Sequence, residues 1–118
     1  MARWVIKNVG MKGVAMAVPE NVVKTSDFDF FSQEEAEVFN NTVGIKRRHI
    51  APDNMCASDM CQAAAEKLLE ELEWERDSID VLLFESVTGD YRTPPTSCIL
   101  QDKLALSENC FCMDIPMG

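Results

Sequence analysis

The feature that most limits the fold is residues 78–87, Ser-Ile-Asp-Val-Leu-Leu-Phe-Glu-Ser-Val, whose centre is almost continuously apolar. Such a centre is typical of a parallel strand that is covered on both faces. The preceding stretch, from Ser58 to about Trp74, predicts an amphipathic helix, because its apolar residues recur at intervals of three and four. These apolar residues stand at positions 61, 64, 65, 68, 69 and 72. We therefore expect this helix to lie on a sheet.

The flanking segments extend this pair into an alternating series. Residues 32–35, Ser-Gln-Glu-Glu, form a capping box that predicts the start of a helix, and Gly44 predicts its end. A third helix is predicted to open at residues 93–95, Thr-Pro-Pro, because proline suits a first helical turn, and to run to about Leu106. A buried strand is then expected at 109–115.

The N-terminal segment completes the predicted architecture. Residues 3–10 and 13–17 are expected to be strand or extended chain, followed by a proline turn at 18–21. Strands that alternate with helices at this spacing predict right-handed crossover units in an α/β layered sheet. A length of 118 residues suffices for one domain but not two, so we expect a single unit over residues 1–118.

Composition and charge exclude several classes of function. A net charge of −9 argues against a nucleic-acid-binding surface, which needs a basic face. No apolar run approaches the roughly 18 to 20 residues of a membrane-spanning helix. Lys7 interrupts the short apolar N-terminus, which therefore does not resemble a signal peptide. We expect no nucleic-acid or membrane partner and a cytoplasmic location.

The five cysteines lack the paired spacing of a secreted disulfide framework, so reduced thiols are expected. Cys110 and Cys112 form a C-x-C pair that strand alternation would place on one face, opposite Phe111. Zinc clusters normally need four ligands, so small buried hydrophobic residues are the favoured interpretation of this pair. No metal or cofactor is expected.

A series of short segments, in this order and spacing, resembles the first third of the β-ketoacyl-acyl-carrier-protein synthase III family, of thiolase-like fold. The resemblance covers residues 5–118 and would make the chain the N-terminal portion of the first βαβαβ half. The segments are Val-Pro-Glu-Asn-Val-Val at 18–23, Val-Gly-Ile-Lys-Arg-Arg-His-Ile-Ala at 43–51, Ser-Asp at 58–59, Ser-Ile-Asp-Val-Leu-Leu at 78–83, Pro-Thr-Ser-Cys-Ile-Leu-Gln at 95–101 and Met-Asp-Ile at 113–115.

The resemblance implies a homodimeric enzyme that takes an acyl group from a thioester primer onto a cysteine. The enzyme then joins this group to malonyl-acyl carrier protein with loss of carbon dioxide. The nucleophilic cysteine is expected immediately beyond Gly118, and the catalytic His and Asn much further on. The remainder of the enzyme, from the cysteine onward, would then belong to a longer or a second polypeptide.

Two positions depart from the family pattern at the donor site. Many members carry a Trp and an Arg before Gly-Ile that hold the nucleotide end of acyl-coenzyme A. Val38 and Thr42 occupy these positions here, and Val38 offers no stacking face for a base. The substrate-binding candidates Val38 and Thr42 therefore favour a primer delivered on a carrier protein.

Two further substrate-binding candidates are Thr93 and Arg48. Thr93 stands where well-known members have a Phe that limits the partner's acyl pocket, which predicts primers longer than acetyl, branched or functionalised; a helix cap facing solvent is the alternative. Arg48 and His49 match the family pattern, where a structural ion pair or hydrogen bond is expected. Lys46 and Arg47 could bind a pantetheine phosphate or an acidic carrier protein, or form an ordinary solvated loop.

Two other functions remain open from the sequence. The chain could be a non-catalytic, thiolase-like subunit that dimerises with a full-length condensing enzyme. A ketide or hydroxymethylglutaryl-type synthase would share this N-terminal layout and differ downstream.

Overall fold

The computed structural model describes residues 5–117, which form two small sheets and three α-helices. Short 3₁₀ turns lie at Thr25–Asp27 and Arg76–Ser78. None of the helices within residues 5–117 has the length and apolar character needed to cross a bilayer. In chain order the main elements are β1 (Val22–Lys24), α1 (Gln33–Val43), β2 (Arg47–His49), α2 (Ala57–Leu72), β3 (Val81–Glu85), α3 (Thr96–Lys103) and β4 (Phe111–Ile115).

The central feature is the parallel pair β3 and β4, connected through α3. Their register runs from Val81 opposite Phe111 to Glu85 opposite Ile115. A parallel pair requires a crossover, and α3 provides it against the sheet. This unit confirms the predicted strand, helix and strand over residues 78–115. The buried apolar residues of this unit are Phe84, Leu100, Leu104 and Cys110.

The start and end of α1 follow the sequence signals. The Ser32 hydroxyl accepts the Glu35 amide at 3.2 Å, and the Glu35 carboxylate accepts the Ser32 amide at 2.9 Å. Gly44 ends the helix with a φ of 81°, a left-handed conformation that glycine adopts without a Cβ penalty. The predicted capping box and stop are confirmed.

The third helix is shorter than predicted, and its expected opening at residues 93–95 is wrong. The N-cap is Pro95, whose ψ of 142° is extended, so the helix starts at Thr96. It ends at Lys103 because Ala105 adopts a φ of 49° and turns the chain towards β4. For α2 the predicted end at Trp74 is two residues late, since Glu73 is left-handed.

Residues 5–17 form neither helix nor strand, which agrees with the extended alternative of the prediction; residues 3 and 4 lie outside the described residues. This segment packs closely against α2. At Gly13 the two are so near that an added Cβ would lie 2.8 Å from Leu68 Cδ1. Burial alternates along it, with Gly13 half-buried while Val14 and Met16 are 76% and 78% exposed. The predicted leading strand of the sheet is therefore absent from residues 5–17, and one apolar side of this segment is uncovered.

The short antiparallel pair of β1 and β2 was not predicted. Val22 pairs with His49 and Lys24 with Arg47, and the Thr25 amide extends the pairing by donating to the Lys46 carbonyl at 3.1 Å. Strands of three residues are too short to show alternation, which is why residues 46–48 looked like a loop.

The buried Thr25 side chain stabilises this strand pair, since its hydroxyl donates to the Ile45 carbonyl at 2.8 Å. Replacing Thr25→Val keeps the shape and removes the hydrogen bond, at a cost of about 1 kcal/mol. We expect amide exchange in β1 and β2, measured by hydrogen–deuterium exchange, to become about fivefold faster. Ser26→Ala, an exposed neighbour, is the control and is expected to leave these rates unchanged. Equal rates in Thr25→Val and the parent would contradict the assignment.

Candidate functional site

The carboxyl ends of β3 and β4 lie side by side and form, with the loop of residues 86–95, what we call the carboxyl edge. Ligands of parallel α/β sheets bind at this edge. A cavity of about 320 Å³ opens here. Its lining residues are Phe84, Ser86, Val87, Gly89, Tyr91, Arg92, Pro95, Asp114 and Pro116.

Asp114 lies near the end of β4 and binds the start of α3. Its two carboxylate oxygens accept the amides of Thr96 and Ser97, each at 2.8 Å. These amides have no partner within the helix, and a carboxylate there is also favoured by the helix dipole. Burial raises the pKa of Asp114, but the hydrogen bonds from Ser97 and Thr96 outweigh it and leave the pKa below its ordinary 3.8. The stabilising contribution of the ionised Asp114 is therefore fully present above its ordinary pKa. It is lost as the pH falls through the lowered pKa.

The loop of residues 86–95 is anchored through Asp90. Its amide donates to Thr96 Oγ1 at 3.1 Å, and its carboxylate accepts the Ser58 amide at 3.4 Å. Ser58 also accepts a hydrogen bond from Lys103 Nζ, which forms an ion pair of 2.7 Å with Asp59. The beginnings of α2 and α3, the loop and β4 are thus joined by one network.

Thr93 is exposed in this loop and does not belong to the described residues that line the carboxyl-edge cavity. The alternative interpretation of Thr93 as a helix cap is wrong, because Pro95 is the N-cap. Its role beside an acyl pocket stays a prediction.

A second surface, which we call the α1 face, carries Val38 and Thr42 one turn apart. Val38 is 61% exposed, and both residues line a shallow cavity of about 840 Å³. The charged side chains of this lining are Glu34 and Glu35. Hydrogen bonds from Ser32 lower the pKa of Glu35, so it is ionised at neutral pH. None of the described residues that line this cavity is a cation.

Arg48 lies behind the α1 face. Its guanidinium stands 5.7 Å from the ring centre of Phe28 and 5.6 Å from that of Phe39, which itself lines the cavity. These are cation–π contacts in place of the expected ion pair or hydrogen bond, and they give Arg48 a structural role. His49 Nδ1 donates to the Pro19 carbonyl at 2.5 Å, as expected for a structural hydrogen bond.

Cys110, just before β4, and Cys112 within it behave as packing residues. Cys110 is buried, Cys112 is half-buried and Phe111 is 57% exposed, so the predicted alternation is confirmed. Burial, with Cys110 and Cys98 nearby, raises the pKa of Cys112 to about 11. A thiol that stays protonated is a poor nucleophile.

The structure thus groups Val38, Thr42 and Arg48 around the α1 face and places Thr93 at the carboxyl edge. Sequence reasoning missed the capping role of Asp114 and the anchoring role of Asp90. A charged residue inside an otherwise apolar strand was the available signal for Asp114, because a half-buried carboxylate needs donors.

Sequence comparison identifies relatives of known function. A beta-ketoacyl-acyl-carrier-protein synthase III of Clostridium perfringens (strain 13) is 34% identical over 110 residues, which are 93% of this chain and 33% of the relative. The chain matches the N-terminal third of a β-ketoacyl-acyl-carrier-protein synthase III. It spans about a third of the length of the curated relatives it matches. No family model matches the sequence.

Solved synthase structures share the fold. The 3-oxoacyl-(acyl-carrier protein) synthase of Burkholderia xenovorans LB400 superposes with a TM-score of 0.79 at 36% identity, over 88% of this chain and 32% of that one. The 3-oxoacyl-acyl-carrier-protein synthase III of Aquifex aeolicus VF5 gives a TM-score of 0.77 at 26% identity, over 87% of this chain and 33% of that one. The predicted synthase III resemblance and thiolase-like α/β fold are confirmed.

Proposed function

We propose that this chain is part of an acyltransferase that performs a decarboxylative Claisen condensation in fatty-acid or specialised acyl-chain synthesis, in the cytoplasm. The observation that carries the proposal is the 34% identity over 110 residues with a synthase III. In the proposed reaction a cysteine thiolate attacks the acyl thioester primer, takes its acyl group and releases the carrier as a thiolate. Malonyl-acyl carrier protein then loses carbon dioxide, and its α-carbon attacks the acyl-cysteine to give 3-oxoacyl-acyl carrier protein and free thiolate.

The carboxyl edge supports this chemistry. The proposed nucleophile follows Gly118, which lies outside the described residues, so it would come shortly after Pro116 at the end of β4. A cysteine at a strand-to-helix turn sits at a helix N-terminus, where the dipole and free amides favour the thiolate. Nearby amides can also stabilise the oxyanion of thioester exchange.

The direct test is a condensation assay of the full-length protein with malonyl-acyl carrier protein and a panel of acyl primers. Product 3-oxoacyl-acyl carrier protein and released carbon dioxide are the readouts, and malonyl-free reactions are the control. We expect turnover with primers longer than acetyl, because Thr93 is smaller than the Phe expected from the family. Absence of turnover with every primer by the full-length protein alone, together with no change in the activity of a second condensing enzyme on its addition, would overturn the proposal. If the full-length protein is inactive alone but alters the turnover of a second condensing enzyme, it is a non-catalytic subunit instead.

We also propose that the primer arrives on a carrier protein. The α1 face supports this, because its cavity combines Val38 and Thr42 with two glutamates that repel the phosphates of coenzyme A. The exposed Lys46 and Arg47 offer positive charge to an acidic carrier protein. Tight, saturable use of acetyl-coenzyme A by the parent enzyme would count against this donor.

The double substitution Val38→Trp and Thr42→Arg is expected to improve use of acyl-coenzyme A. A stacking ring and a phosphate-binding guanidinium together should lower KM for acetyl-coenzyme A about tenfold, equivalent to about 1.4 kcal/mol. Steady-state kinetics with both donor types measures the change. Glu37→Trp, which places the same ring on α1 outside the cavity lining, is the control and should not change this KM. An unchanged KM in the double variant would remove the α1 face as a donor site.

The remainder of the enzyme is proposed to cover the apolar surface that β3 and β4 leave open. Val81, Leu83, Phe111 and Met113 form this surface, which we call the open sheet face; they are 42% to 57% exposed. The register places Val81 beside Phe111 and Leu83 beside Met113, so the four side chains form one patch. A patch of this kind on a sheet marks an interaction surface. Homodimerisation of the complete enzyme is proposed from the family.

A further inference from the structure

Asp114 ties the start of α3 to β4 through a pair of hydrogen bonds. Its two oxygens accept one amide each, from Thr96 and Ser97, with both distances at 2.8 Å. A planar carboxylate with two donors from one helix fixes both the distance and the rotation of that helix relative to the strand. The start of α3 is therefore bound to β4 at a position four residues before Gly118.

The tie extends into a buried network. Thr96 is fully buried, and its hydroxyl accepts the Asp90 amide at 3.1 Å. Asp90 in turn accepts the amide of Ser58, which is also fully buried. Asp114, Pro95 and Pro116 line the same cavity. Asp114 thus connects the cavity lining to Thr96 and Ser58, which are both fully buried.

We infer that Asp114 is a positioning residue of the proposed condensing enzyme, which clamps β4 to α3 and so fixes the backbone that leads through Pro116 to the nucleophile. The inference rests on the proposed function. Asp114 acts through the backbone and contacts no substrate in this role. Its importance follows from geometry, because a displacement of about 1 Å at a reacting group can lower turnover about 100-fold.

The test is Asp114→Asn in the full-length protein. The amide side chain keeps the size but offers one acceptor oxygen in place of two, and its NH₂ group faces an amide donor. We expect kcat to fall roughly 10- to 100-fold while KM for the primer stays within about twofold, since binding and positioning separate in this way. Hydrogen exchange at Thr96 and Ser97 should become faster in the same variant.

Two further variants make the result decisive. Asp102→Asn removes the same charge from the exposed side of α3 and should leave kcat and KM unchanged. Asp114→Glu keeps the charge and both acceptors on a longer arm, so it should recover part of the lost kcat. If Asp114→Asn does not fold, Asp114→Glu decides alone, with a reduced kcat at unchanged KM supporting the inference and a parental kcat overturning it.

The outcomes also separate this inference from the proposed function. A parent protein that condenses no primer overturns both. An active parent with an Asp114→Asn variant of equal kcat overturns only the inference, even if the variant melts at a lower temperature. An increase of KM alone likewise overturns it, because that result would assign Asp114 to substrate binding.

Discussion

Residues 1–118 expressed alone are expected to unfold without a cooperative transition and to bind a hydrophobic dye. The open sheet face is the main reason, because β3 and β4 form a two-stranded sheet with helices against one side only. Two strands give marginal stability, and an unpaired edge remains on each. The Cα radius of gyration is 18.2 Å, whereas a compact chain of this length measures about 13 to 14 Å.

Thermal unfolding followed by near- and far-ultraviolet circular dichroism, together with dye fluorescence, tests this expectation. The full-length protein is the matched control and should show one sharp transition and little dye binding. A sharp transition of residues 1–118, with the same midpoint by both probes and no dye binding, would contradict this expectation. It would show that residues 1–118 fold stably with the open sheet face exposed to solvent.

Phe111→Ala is expected to destabilise the full-length protein by about 3 to 5 kcal/mol, the cost of truncating a buried phenylalanine. In residues 5–117 this side chain is 57% exposed on the open sheet face. If the remainder of the enzyme covers that face, the ring becomes core and its loss leaves a cavity. A loss of this size is a large share of the total stability of about 5 to 15 kcal/mol of a typical domain.

Chemical denaturation of the full-length variants measures the effect. Phe84→Ala, on the neighbouring strand but with a side chain only 5% exposed, is the positive control and should cost as much. Lys67→Ala on the solvated side of α2 is the negative control, since its side chain is 63% exposed. A change within about 0.5 kcal/mol for Phe111→Ala, as at an ordinary surface position, would show that the face stays open. If the destabilisation depends on protein concentration, a second copy of the protein covers the open sheet face.

The sequence predicted the elements whose signals are local. Ser32 and Gly44 marked α1 because a cap and a left-handed stop act within one turn, and the periodic apolar residues of α2 marked a helix that does lie against β3. The continuous apolar centre of residues 78–87 predicted a parallel strand, and β4 pairs with it in parallel. Each of these patterns lies within one short segment, so it could be interpreted without knowing which distant segments pack against it.

The errors occurred where distant segments decide the conformation. Residues 93–95 have the composition of a helix start, yet the helix begins at Thr96. Asp114 accepts a hydrogen bond from the free Thr96 amide there. The antiparallel pair of β1 and β2 depends on pairing across more than twenty residues and on the Thr25 side chain. Arg48 was expected in a structural ion pair or hydrogen bond and instead contacts the rings of Phe28 and Phe39.

The sequence by itself determined the α/β class, the two ends of α1 and the resemblance to a synthase III, because each depends on residue type and spacing along the chain. The tertiary structure alone decided that Asp114 caps α3 and that Asp90 joins the loop to α2. Hydrogen bonds and charges act through space over a few ångströms. Their partners lie 6 to 32 positions apart in the chain, a separation that no local pattern encodes.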